Sequence, residues 1–238
     1  MEIKTEAIVL QSMDYKDNDK LLTLFSPTLG KITAGIKGVK KPTAKLAFAA
    51  QPFCFAEYVL AEKGGGYTVV SAYLYESFFS LRLDIEAFYA ACAAAETCRT
   101  IALENEEYDG LFIAFAECLK ALSLAGEERG EALIAFLLVA LRESGYPIDL
   151  DFEDGDNEKL YFDFSEGRFS SVEELVRGER ASRSTYHILR KCAGLSYRED
   201  LTAGGRKRAL RLLKAFIGEK TEATFDNLNE FIKLYEEI

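Results

Sequence analysis

Residues 31–45 read Lys-Ile-Thr-Ala-Gly-Ile-Lys-Gly-Val-Lys-Lys-Pro-Thr-Ala-Lys and contain no acid. Ile32, Ala34 and Ile36 alternate with Lys31, Thr33, Gly35 and Lys37, the period of a strand with one buried face. Gly38 and Pro42 then break the ladder, so Lys40, Lys41 and Lys45 fall in a loop at the rim of a small sheet. In a chain of net charge −10, lysines grouped this way point to an anion-binding surface, with a merely solvated face as the alternative.

Outward from this strand the period-2 pattern continues. Glu6 to Gln11 reads as a first strand, Asp14 to Asp19 as a turn, and Leu21 to Phe25 as a second strand closed by Ser26-Pro27 and Gly30. Phe53 to Ala61 and Tyr67 to Tyr75 follow, with Gly64-Gly65-Gly66 between them as a hairpin turn. Five short strands, with a wide connection after the third, suit a barrel of the OB type; an SH3-like barrel gives a similar pattern.

From Asp84 the period becomes helical. Ile85, Phe88, Tyr89, Cys92 and Ala95 make one stripe, Leu111, Phe112, Phe115, Leu119 and Leu122 a second, and Leu133, Phe136, Leu137, Ala140 and Leu141 a third. An acidic segment and a hairpin, Leu160 to Phe169, interrupt the helices at about 149–170. Ser171 to Glu174 is a capping-box pattern, and helical patterns return at 184–193 and 205–217. Thr224 is expected to cap a final helix. The fold class expected is α+β: an OB-type barrel over 1–80, then a mainly helical domain over 81–238 with a small insertion.

Composition narrows the function. A chain of 238 residues that is 49% hydrophobic can bury a sizeable core. No stretch is apolar enough to span a membrane, and the opening Met-Glu-Ile-Lys-Thr-Glu is unlike a secretion signal, so a cytoplasmic protein is expected. Cys54, Cys92, Cys98, Cys118 and Cys192 form no C-x-x-C pair, and His187 is the single histidine. No nucleotide-binding loop, nucleophile elbow or metalloprotease motif occurs, so no enzyme is expected. Counted from Asp149, the acidic run lacks the glycine and the final glutamate of a calcium loop. Charge is segregated, with residues 84–175 strongly acidic between two basic regions, which suits two different binding surfaces.

One of the basic regions is amphipathic. Arg206, Lys207, Arg208, Arg211 and Lys214 lie beside an apolar stripe of Leu210, Leu213 and Ile217. Cations next to an open apolar stripe would suit an acidic peptide with an apolar end; neutralisation of the acidic block within the fold, or an extension of a nucleic-acid surface, are the alternatives.

Thr5 with Ile8-Val9-Leu10, Tyr15 and Asp19, Phe25-Ser26, Gly30-Lys31, Lys37-Gly38 and Gln51-Pro52-Phe53 together resemble the N-terminal pattern of the RecO family of bacterial recombination mediators. The helical block ending in Leu141-Arg-Glu-Ser-Gly-Tyr-Pro-Ile-Asp-Leu150 resembles that family's central region. The resemblance implies an OB-fold, ATP-independent annealing of single-stranded DNA, and help in loading recombinase on coated strands. It also implies RecR and the tail of single-stranded DNA-binding protein as partners. On this reading Lys16, Lys20, Lys31, Lys37, Lys40, Lys41 and Lys45 bind DNA, and the basic helix binds a partner. A protein–protein adaptor and an RNA-binding OB protein are the competing readings. Many members of the family carry a four-cysteine zinc site after the segment resembling Gly145-Tyr146-Pro147. Residues 149–171 here contain no cysteine, so no cofactor is expected.

Overall fold

The computed structural model describes residues 2–124, 128–152, 159–171, 177–196 and 203–234. The strands β1 (Glu2–Tyr15), β2 (Asp19–Ser26), β3 (Gly30–Ile36), β4 (Phe55–Lys63) and β5 (Gly66–Glu76) close into a barrel in the order β1-β2-β3-β5-β4. The β3–β5 pair is parallel and the other pairs are antiparallel. Closure removes sheet edges that would otherwise recruit another strand. The β4–β5 turn places Gly64 and Gly65 at φ +62° and +78°, which a tight hairpin demands and glycine supplies without a Cβ clash.

The first strand is longer than its aliphatic run suggested. Its Ala-Ile-Val-Leu run is buried on both faces: Ala7 and Val9 point into the barrel, whereas Ile8 and Leu10 join the helical core. A bulge between Val9 and Gln11 leaves Leu10 out of the pairing with β2. Beyond it, exposed and half-buried residues continue the strand to Tyr15, because pairing with β2 rather than burial holds them.

The helices are α1 (Ile85–Ile101), α2 (Asp109–Ser123), α3 (Arg129–Glu143), α4 (Arg183–Cys192), α5 (Ala203–Thr221) and α6 (Asp226–Leu234). Asp84 caps α1, accepting the Ala87 N–H at 3.0 Å. The buried face of α1 differs from the expected stripe. Ala87, Ala90, Ala91, Ala94 and Cys98 are buried, whereas Ile85 is 67% exposed. Small side chains let α2, α3 and α6 pack closely around this helix. The stripes expected on α2 and α3 are buried throughout.

The hairpin expected at 160–169 is β6 (Leu160–Asp163) with β7 (Arg168–Ser170), joined by a strand the sequence reading missed, β8 (Gly178–Ala181), in the order β7-β6-β8. The acidic run at 153–158 and most of the expected Ser171–Glu174 capping box lie outside the described residues. Among the described residues, no helix is long and apolar enough to cross a membrane.

Candidate nucleic-acid interface

Two loops meet at one end of the barrel. Between β1 and β2, residues 16–18 turn the chain; between β3 and β4, residues 37–45 carry the lysine run. Gly38 N–H donates to Asp19 Oδ1 at 2.8 Å, and Lys40 N–H donates to the Asn18 carbonyl at 3.1 Å. Gly38 has φ +64°, so a glycine suits the corner at which the strand becomes the loop.

The cations at this end divide by what they touch. Lys40 Nζ lies 2.8 Å from Asp14, and Lys20 Nζ lies 3.8 Å from the same carboxylate. Lys20 also donates to Ser12 Oγ at 3.3 Å. The Lys40 hydrogen bond foremost holds the Asp14 carboxyl below its usual range. Lys20 and Lys40 are thus partly neutralised. Lys16, Lys37, Lys41 and Lys45 are exposed around them, and phosphate groups reach such cations without breaking an internal pair.

Lys31 stands apart. It lies at the opposite end of β3, where its Nζ donates to the Arg99 carbonyl at 2.9 Å and its N–H donates to the Leu103 carbonyl at 2.9 Å. The residue before it, Gly30, has φ +63°, and an added Cβ would meet the Leu103 oxygen at 2.1 Å. The lysines read from sequence as one surface are therefore separated, because a strand of this length carries its two ends to opposite ends of the barrel.

The basic helix is α5. Leu210, Leu213 and Ile217 are fully buried, which corrects the expectation of an open apolar stripe beside the cations. Its charges also diverge. Arg206 Nε reaches Glu131 on α3 at 2.9 Å, and Lys214 bonds Asn229 on α6. Arg208 reaches Ser182 Oγ at 3.2 Å. Arg208 and Arg211 are exposed, while Lys207 is half-buried.

The residues present do not fit a thiolate zinc site. Among the described residues, no three or more His, Cys, Asp or Glu side chains are grouped to hold a metal. Beyond Pro147 the small sheet is an aromatic cluster: the Phe162 ring lies 5.1 Å from Phe169 and 5.3 Å from Phe216. Cys54, Cys98 and Cys118 are buried and Cys92 and Cys192 half-buried, and burial pushes the thiols of Cys92, Cys118 and Cys192 up to about 12.

Sequence reading passed over the outer face of β1. Met13 and Tyr15 are 44% and 49% exposed beside the lysine loops, and Lys16 Nζ lies 5.2 Å from the Tyr15 ring centroid. The signal available was the alternation Gln11, Met13, Tyr15, which continues the strand past its apolar part.

Comparison with known proteins is consistent along the chain. A family model described as Recombination protein O N terminal matches residues 1–78, and one described as Recombination protein O C terminal matches residues 82–228. Over 149 residues the chain is 35% identical to a DNA repair protein RecO of Clostridium novyi, covering 62% of this chain and 58% of that protein. It is 31% identical over 149 residues to the protein of the same name from Clostridium perfringens, covering 63% and 61%. A Desulfitobacterium hafniense protein of that name is 39% identical over 107 residues, covering 45% and 39%. The matched region thus spans about three fifths of the length of the two clostridial relatives.

Proposed function

The chain belongs to the RecO family, and on that premise we propose that it is a DNA repair and recombination mediator that binds single-stranded DNA. In this reading it anneals strands and helps to load recombinase on coated single strands. It works in the cytoplasm without a nucleotide cofactor, with RecR and the acidic tail of single-stranded DNA-binding protein as partners.

The observation that carries the reading is the lysine-rich end of the barrel. Lys16, Lys37, Lys41 and Lys45 are exposed on two loops that hydrogen bonds hold together, in a chain whose net charge is −10. A local cationic surface on an acidic protein concentrates a polyanion at one place and repels it elsewhere. Phosphate contacts of this kind release counterions, so binding must weaken steeply with salt.

The experiment is a salt titration of binding to a labelled single strand. With Lys37, Lys41 and Lys45 changed together to Glu, affinity at low salt should fall. The log–log salt slope should flatten by roughly one unit or less for each phosphate no longer held. Unchanged affinity in that variant would place DNA binding elsewhere. A parallel titration with RNA of the same length separates DNA preference from general binding to nucleic acid.

A further inference from the structure

The outer face of β1, β4 and β5 sets like charges side by side. Register places Glu6 opposite Glu57 and Glu57 opposite Tyr73. Their chain neighbours Ala7, Ala56 and Ala72 pack into the barrel interior, so this row points outward. Like charges directly opposite one another destabilise a sheet. Lys4 approaches Glu57 at 3.7 Å, and among the described residues no cation pairs with Glu6.

Beside these carboxylates runs a band of apolar side chains left in water. The Tyr73 ring lies 5.8 Å from that of Tyr75, and Tyr75 lies 5.0 Å from Phe55. Phe55 in turn lines a groove of about 680 Å³ between the end of β5 and α2, together with Phe79 and Leu124. Tyr73 is 69% exposed, Phe79 56% and Leu124 71%. Contiguous large apolar groups on a surface mark a docking place. Charge along the band is uneven. At the groove, Glu117 is matched by Lys120, and Arg82 lies 5.1 Å from the Phe79 ring centroid. At the junction, Glu76 accepts the N–H groups of Ser77 and Phe78. The tyrosine end, with Glu6 and Glu57 against Lys4 alone, is left negative.

We propose that this face docks a protein segment with a basic end and an apolar end, its cation over Tyr73 between Glu6 and Glu57 and its apolar side chains in the groove beside Phe55 and Phe79. A cation there relieves the opposed carboxylates and is also drawn to the aromatic face. Apolar side chains that leave water in the groove add affinity with the area they bury. The same carboxylates repel phosphates, so the face is one for protein. It uses none of the lysines assigned to DNA.

The test uses the full chain and a short labelled peptide with arginines at one end and leucines at the other. The unaltered protein should bind it in the micromolar range. Peptides with the arginines replaced by glutamates, or the leucines by serines, should bind at least about tenfold more weakly. Glu6→Gln with Glu57→Gln should weaken binding by a similar factor, while the urea midpoint holds or rises because the opposed charges are gone. Tyr73→Ser with Phe79→Ser should weaken it too. Glu62→Gln with Glu107→Gln, which removes the same charge elsewhere, should leave it unchanged. Changing Lys37, Lys41 and Lys45 to Glu should not weaken it, so this inference and the DNA-binding reading fail separately. No binding, or equal losses in the two paired glutamate variants, would overturn the proposal. So would a self-associated protein that Tyr73→Ser turns into monomers, which would give the face to a second copy of the chain.

Discussion

Lys31 Nζ donates to the Arg99 carbonyl at 2.9 Å, tying the third barrel strand to the last turn of α1. The last carbonyls of a helix have no partner within it, and a cation there also meets the negative end of the helix dipole. Beside it, the Asn105 N–H donates to the Leu29 carbonyl at 3.0 Å and the Tyr108 N–H to the Pro27 carbonyl at 2.7 Å. Lys31 is therefore part of the joint between barrel and helices. Lys31→Ala should lower stability by about 1–2 kcal/mol, seen as a lower urea midpoint, and leave the salt slope of DNA binding unchanged. A flattened slope at full stability would return Lys31 to the DNA surface.

The α5 helix makes a separate prediction. With its apolar stripe buried, α5 offers an acidic peptide charge without an apolar pocket, and its exposed cations are Arg208 and Arg211. Arg208→Glu with Arg211→Glu should therefore weaken binding of the acidic tail of single-stranded DNA-binding protein through charge alone, and added salt should abolish the difference. A tail peptide that binds the double variant normally at low salt would leave α5 as structure.

Residues show where sequence reading works and where it stops. The alternation of Ile32, Ala34 and Ile36 makes β3 legible because a strand with one buried face prints its period directly. The stripes of α2 and α3 are legible for the same reason. In α1 the period misled, since the large residues Ile85, Phe88 and Tyr89 lie at its margin and alanines form the buried face. Long-range hydrogen bonds leave no local trace. The expected cap of α6 was Thr224, yet the N–H groups of Asp226 and Asn227 donate to Glu96 on α1, each at 3.1 Å. For the candidate site, composition exposed the lysine run, but only the register showed which cations share a surface and which one joins two parts of the fold.

Zinc content is a direct check on the chemistry of the small sheet. A structural zinc site needs thiolates or imidazoles in close reach, and β6 and β7 bring together Phe162 and Phe169 instead. Elemental analysis of purified protein should find no stoichiometric zinc, and a chelator should leave the thermal midpoint where it was. One zinc per chain, or a chelator-dependent midpoint, would contradict this.

The last prediction concerns Glu131, buried on α3 where Lys191 approaches it at 2.5 Å and Arg206 at 2.9 Å. Burial alone would push its carboxyl up, but the hydrogen bonds from Lys191 and Arg206 outweigh that and hold it below the usual range. The folded protein therefore binds this proton less readily than the unfolded chain, and stability rises with pH across the gap between the two values. The contribution is complete above the unfolded glutamate value, about 4.3, and is lost as pH falls through the lower folded value. Glu131→Gln should cost about 1–3 kcal/mol near neutral pH, because two cations lose their charged partner. The cost should shrink as acid protonates the native carboxylate. Urea midpoints of both proteins measured from pH 7 down to pH 3 should converge; curves that stay parallel would show that the Glu131 charge between Lys191 and Arg206 adds nothing to stability.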